Sequence, residues 1–156
     1  MQIISVSVKE TLKLGKLIAR YLQPQDILCL SGGLGSGKTV LTKGIASGLG
    51  IGAFNVTSSS FILIREHLKG RIPFFHFDLY RLKAASDITA LGYEEYFYGD
   101  GVSVIEWPER LGALMPKEYL LVELAYQSGS NRSLKFKASG PRYKKLLRDL
   151  NENISD

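Results

Sequence analysis

Cysteine is nearly missing from this 156-residue chain: Cys29 stands alone, so no intrachain disulfide can form and a reducing compartment is expected. Histidine is as scarce, and His67 and His76 by themselves exclude a Cys/His metal cluster. No apolar run approaches the roughly 20 residues that a membrane-spanning helix requires. The first residues lack the basic segment and long apolar stretch of a signal peptide. A soluble, cytoplasmic protein with no membrane partner is the expectation. Internal repeats, low-complexity tracts and linkers are also lacking, which predicts a single domain over residues 1–156. A hydrophobic fraction of 45% excludes disorder and allows a substantial core.

Positive charge and glycine are what the chain does have. The net charge of +5 invites a nucleic-acid reading, but the excess is local. Between Gln127 and Arg148 lie Arg132, Lys135, Lys137, Arg142, Lys144, Lys145 and Arg148, with no acid among them. Setting those seven aside leaves 13 basic against 15 acidic residues. This cluster reads either as a solvated hairpin and helix or as a contact for nucleic acid or an acidic partner, away from any active site.

Hydrophobic periodicity predicts the elements. Gln2 to Val8 alternates as a strand, with Ile4, Val6 and Val8 on one face. Ser7 and Glu10 have capping-box spacing for a helix that runs to about Leu22. Ile27 to Leu30 is a short apolar run, as for a strand buried on both faces, and a helix follows from Lys38 to Leu49. Phe61–Glu66 and Ile72–Phe77 predict a hairpin, Ser86–Phe97 short helices broken at Gly92, and Val102–Ile105 another buried strand. A helical stretch closed by Pro116 comes next. Alternation around the turn at Gln127–Asn131 predicts a terminal antiparallel hairpin, and a last helix starts near Pro141. The fold class expected is α/β, with a mixed, mostly parallel sheet flanked by helices and a C-terminal hairpin.

The glycines concentrate after the first buried strand. Gly32-Gly33-Leu34-Gly35-Ser36-Gly37-Lys38-Thr39 fits G-x-x-x-x-G-K-[ST], between that strand and a helix. Glycines let successive N–H groups converge on phosphate oxygens, and the helix points its positive end at the same anion. Lys38 is placed to reach the β- and γ-phosphates, and the Thr39 hydroxyl to ligate Mg²⁺. Residues Gly33 to Thr39 are thus the expected nucleotide loop.

A metal–nucleotide pair also needs an acid on a neighbouring strand. Phe74-Phe75-His76-Phe77-Asp78 and Val102-Ser103-Val104-Ile105-Glu106 are both apolar strands ending in a carboxylate. Capping of a following helix is the alternative role for either acid. Arg65, Arg81 and Arg110 are candidates to meet phosphate or to form salt bridges. His76 alternates with large aromatics and reads as a packed strand residue, and Trp107 as core.

His76-Phe77-Asp78-Leu79-Tyr80-Arg81-Leu82 and Ile105-Glu106-Trp107-Pro108-Glu109, behind this loop, resemble the small bacterial P-loop ATPases required for tRNA threonylcarbamoyladenosine synthesis, the TsaE family. The similarity runs from about Thr11 to Arg132. The resemblance implies ATP binding through Leu34 to Thr39, Mg²⁺ near Thr39 and Glu106, and Asp78 as a second acid essential for hydrolysis. Lys38, Asp78 and Glu106 are then the catalytic set, with Ser60 a further hydroxyl near the nucleotide. It also implies a partner, a heterodimer of two actin-like-fold subunits that carries the threonylcarbamoyl transferase site, with any tRNA contact indirect. ATP hydrolysis would support turnover of that complex and would not be the transfer step. The chain departs from the family pattern at Gly33, where Asp is usual, at Val40, where Thr is usual, and at Ser58-Ser59-Ser60, where S-P-T is usual.

Other classes fit less well. The glycine spacing also suits a small-molecule kinase, but no arginine-rich lid is visible. A regulatory GTPase would need N-K-x-D and D-x-x-G segments, and neither occurs. A nucleotide-gated binding module with little catalysis of its own would require a partner to complete the site.

Overall fold

The run Ile27-Leu28-Cys29-Leu30 sends alternate side chains into two separate cores, which sets the architecture. In the computed structural model, which describes residues 1–52, 56 and 63–154, Leu28 and Leu30 face one apolar cluster and Ile27 and Cys29 the other. The first cluster is closed by α1 (Val8–Ala19), α2 (Lys38–Gly48) and α5 (Pro141–Ile154). The second is closed by α3 (Ala85–Ala90), α4 (Tyr93–Phe97) and the 3-10 helix Pro108–Leu114. Helices therefore cover both faces of one sheet.

The strands are β1 (Gln2–Ser5), β2 (Ile27–Ser31), β3 (Ile64–His67), β4 (Phe74–Asp78), β5 (Val102–Glu106), β6 (Tyr119–Tyr126) and β7 (Arg132–Ser139). Their order is β1-β7-β6-β2-β5-β4-β3. The central β6, β2, β5 and β4 run parallel, while β7 and β3 pair antiparallel to them on either side. This is the mixed, mostly parallel sheet with helices on both sides and a C-terminal hairpin that the pattern predicts.

Differences from the predicted elements have local causes. The first strand stops at Ser5, because Ser7 accepts the Glu10 N–H at 3.1 Å and starts α1. Glu10 answers by accepting the Val6 N–H at 2.8 Å, so the reciprocal bond falls one residue before the cap. Ile4, Val6 and Val8, the alternating set, are about half exposed and belong to neither core. The stretch before Pro116 is a 3-10 helix kinked at Gly112.

The C-terminal helix is tied into the sheet by polar contacts as well as by Leu146 and Leu150. Tyr143 Oη accepts the Ile27 N–H at 2.7 Å, and Arg142 grips the buried Asp26 carboxylate at 2.9 and 2.6 Å. Arg142 also donates to the Tyr21 carbonyl at 2.7 Å. Lys137 pairs with Glu123, and Lys145 with Asp149. Part of the terminal positive charge is thus engaged within the fold.

Candidate functional site

Strand register builds the site. Within the parallel core Leu30 lies opposite Glu106, and Glu106 opposite Asp78. The loop after β2 and both strand-end acids therefore meet at the same edge of the sheet, where the chain leaves the ends of parallel strands. A cleft of about 490 Å³ opens there, lined by Lys38, Thr39, Asp78 and Glu106 among others.

The loop conformation depends on glycine at Gly32, Gly35 and Gly37, all of which have positive φ, with Gly35 at 74°. Gly32 has φ 145°, and a Cβ there would lie 2.3 Å from the Leu124 carbonyl oxygen. Gly37 has φ 105° and delivers the chain directly into α2, which carries no side-chain cap. The positive end of α2 therefore faces the cleft. By contrast, a Cβ at Gly33 would meet nothing within 4 Å, so space does not exclude the Asp usual at that position. Leu34 is exposed, and Ser36 is buried beneath the loop.

Lys38 is buried, its ammonium donating to the carbonyl oxygens of Gly32 at 2.6 Å and Gly33 at 2.8 Å. Burial lowers its pKa, while Glu106, Glu109 and Asp78 act in the opposite sense. Its Nζ also lies 4.1 Å from the centroid of the Trp107 ring. Trp107 takes φ 61°, rare for a residue with a side chain, and packs against Tyr80 with ring centroids 4.9 Å apart. Expected as core, Trp107 is in fact half-buried and lines the cleft.

Glu106 is 2% exposed and its two oxygens have different surroundings. Oε2 accepts from the Thr39 hydroxyl at 3.1 Å. Oε1 meets the Thr42 hydroxyl at 3.0 Å and His76 Nε2 at 2.9 Å. Thr39 and Thr42 share a helical face through their three-residue spacing. His76 sits two residues before Asp78 on the same face of β4. It is packed, as its aromatic neighbours suggest, but it also holds the Glu106 carboxylate. Asp78 is half-buried at the cleft wall, and its Oδ1 accepts the Tyr80 N–H at 3.2 Å.

Of the three arginines considered from sequence, Arg81 lines the cleft. Arg110 reaches the Leu82 carbonyl at 3.5 Å, and Arg65 lies on β3. The terminal hairpin corrects a further expectation. Its turn brings Gly129, Ser130 and Arg132 over the loop, so one member of the basic cluster belongs to the cleft. Arg132 stacks on Tyr126 with its guanidinium 4.9 Å from the ring centroid. Ser60 lies outside the described residues, as do Ser58 and Ser59.

Sequence reasoning passed over Thr42 and set His76, Trp107 and Arg132 aside. The Thr39/Thr42 helical spacing was the available signal for the first. Nothing local marked Arg132, because only the β6–β7 pairing folds its turn back over the loop.

Among the described residues, no three His, Cys, Asp or Glu side chains converge as a metal site. A divalent cation at Thr39 and Glu106 would therefore complete its shell with phosphate oxygens and water. The oxygen donors present suit a hard cation such as Mg²⁺.

The family model described as "Threonylcarbamoyl adenosine biosynthesis protein TsaE" matches residues 5–134. The tRNA threonylcarbamoyladenosine biosynthesis protein TsaE of Bacillus subtilis (strain 168) is 39% identical, over 97% of this chain and 96% of its own. Its namesake in Treponema pallidum is 36% identical, over 86% of this chain and 98% of its own. The crystal structure of Bacillus YdiB superposes with a TM-score of 0.84 at 36% identity, covering 98% of this chain and 95% of that one.

Proposed function

The chain belongs to the TsaE family of threonylcarbamoyl adenosine biosynthesis proteins, and from that membership we propose that it is a Mg²⁺-dependent ATPase supporting threonylcarbamoyl modification of adenosine in tRNA. The observation that carries this reading is the convergence of Lys38, Thr39, Glu106 and Asp78 at one sheet edge.

Each residue has a distinct task. The Gly33–Thr39 backbone and Lys38 bind the phosphates, Lys38 exchanging carbonyl partners for a more strongly charged acceptor. Thr39 Oγ1 and Glu106 Oε2 would hold Mg²⁺, which when bound neutralises charge on the β- and γ-phosphate oxygens. Glu106 is enclosed by Thr39, Thr42 and His76, whereas the Asp78 carboxylate lies at the cleft wall. That contrast favours Asp78 to orient the attacking water. The water oxygen bonds to the γ-phosphorus as the bridging bond to ADP breaks, releasing inorganic phosphate. Val8, Thr11, Val40 and Arg132 also line the cleft and are proposed as walls for the nucleoside. Ser60 is retained as a proposed hydroxyl near the γ-phosphate.

The cleft accommodates one nucleotide and leaves little chain for a second substrate pocket. Group transfer therefore falls to partners, proposed as the two actin-like-fold subunits that include the transferase. Exposed Lys135, Lys144 and Arg148 offer a surface for tRNA or an acidic partner. Among the described residues no helix is long and apolar enough to cross a membrane.

The test is ATP turnover with and without both partner subunits, for wild type, Lys38→Ala, Asp78→Asn and Glu106→Ala. Slow hydrolysis alone, stimulation by the partners and loss in all three variants are expected. Turnover that survives Lys38→Ala would sink the proposal. Label from ATP found on a metabolite, and not in free phosphate, would point to a small-molecule kinase.

A further inference from the structure

We propose that His76 is a positioning residue that locks the Glu106 carboxylate so that Oε2 alone is presented to Mg²⁺, with Thr42 as its helper; this rests on the Mg²⁺-ATP reading above. The argument starts from donor counting. An ionised carboxylate only accepts, so His76 must carry its proton on Nε2 to satisfy the 2.9 Å contact with Oε1. Thr42 has one hydroxyl proton, and it lies 3.0 Å from Oε1 but also 2.9 Å from the Lys38 carbonyl. That proton is shared. His76 is thus the dedicated donor to Oε1.

The remaining imidazole nitrogen is informative. His76 is 1% exposed, and its Nδ1 has no hydrogen-bond partner among the described residues. A buried acceptor without a partner destabilises the fold, because it loses its water partner and gains none. An apolar side chain beside Phe74 and Phe77 would avoid that cost. Stability alone does not account for a histidine here, whereas a fixed N–H aimed at Glu106 does.

The consequence is orientation. A carboxylate with both oxygens free can rotate or bind a cation through either one. With Oε1 occupied by His76 and Thr42, the group cannot turn without breaking those bonds. Oε2 stays beside the Thr39 hydroxyl, 3.1 Å away, and the two oxygens remain together at the start of α2. Outer partners of metal-ligating groups typically change metal affinity by about 10–100-fold when removed.

The experiment reads binding and not turnover. Trp107 is the only tryptophan, and Lys38 Nζ lies 4.1 Å from its ring centroid, so its emission reports on the loop. A non-hydrolysable ATP analogue is titrated without Mg²⁺, and Mg²⁺ is then titrated into the complex, for wild type, His76→Phe, His76→Gln and Thr42→Val. His76→Phe should raise the Mg²⁺ half-saturation about 10–100-fold while Mg²⁺-free affinity stays within about twofold. His76→Gln, whose amide N–H can replace Nε2–H, should restore most of the loss. Thr42→Val, which keeps the shape and removes the hydroxyl, should shift Mg²⁺ in the same direction by less, with thermal unfolding confirming that each variant is folded. Unchanged half-saturation in His76→Phe and Thr42→Val would overturn the proposal, as would equal weakening of Mg²⁺-free and Mg²⁺-bound states. A wild-type chain that binds no nucleotide would overturn the Mg²⁺-ATP reading, and this inference with it.

Discussion

Gly32 and Gly33 look alike in the sequence, yet alanine at the two positions should have opposite outcomes. At Gly32 the new methyl would sit 2.3 Å from the Leu124 carbonyl oxygen and 2.6 Å from Ser36 Oγ, on a backbone with φ 145°. The serine can rotate, but the carbonyl belongs to β6 in the middle of the sheet and cannot move without disturbing the strand. The backbone conformation costs about 1–3 kcal/mol. Overpacking adds a further ~1–3 kcal/mol. At ~2–4 °C per kcal/mol for a chain of this size, Gly32→Ala should lower Tm by about 5–20 °C. At Gly33 the methyl meets nothing within 4 Å and no unusual φ is required. Gly33→Ala should stay within about 0.5 kcal/mol of wild type. The assay is thermal unfolding followed by circular dichroism, with nucleotide binding measured on the folded proteins. Equal Tm values for the two variants would refute the assignment of the close approach to Gly32.

Two further outcomes follow from the fold. Arg142→Ala should destabilise by an amount near the low end of the ~3–5 kcal/mol typical of broken buried pairs, because Asp26 would stay buried while Arg142 itself is partly exposed. Urea unfolding checks this, and a loss under 1 kcal/mol would contradict it. Burial pushes the Cys29 thiol from 9.0 to about 12, so the native fold keeps a proton that the unfolded chain releases above pH 9. The stabilisation is whole below pH 9 and is lost as pH rises toward 12, at up to about 1.4 kcal/mol per pH unit. Urea midpoints between pH 8 and 11 should fall more steeply for wild type than for Cys29→Ala. Parallel curves would contradict it.

Much of this architecture was legible because its signals are local. A buried strand, a glycine loop and a helix follow one another within Ile27–Gly48, and their chemistry is set by residues adjacent in the chain. Asp78 and Glu106 were legible as strand ends because an apolar run terminated by an acid is a local pattern. The errors arose where local pattern and tertiary environment diverge. Ile4, Val6 and Val8 alternate as along one strand, but β1 is an edge strand that ends at Ser5, and all three side chains stay about half exposed, Val8 at the cleft. His76 was hidden by its aromatic neighbours, since packing against them does not reveal a polar contact 30 residues away. Arg132 was hidden inside a charge cluster whose other members serve elsewhere.

Sequence alone determined the phosphate loop, the α/β class and the two acids, because glycine torsions, periodicity and strand termination act over a few residues. Tertiary structure alone decided that both carboxylates line one cleft and that Glu106 is the more deeply buried of the two. The cause is register: Leu30, Glu106 and Asp78 are aligned by parallel pairing across β2, β5 and β4. That alignment sets Glu106 against Thr39, Thr42 and His76, three donors brought from elements distant in the chain. Hydrogen bonds across such separations leave no periodic trace in the sequence, so the different surroundings of the two acids emerge only when the sheet is assembled.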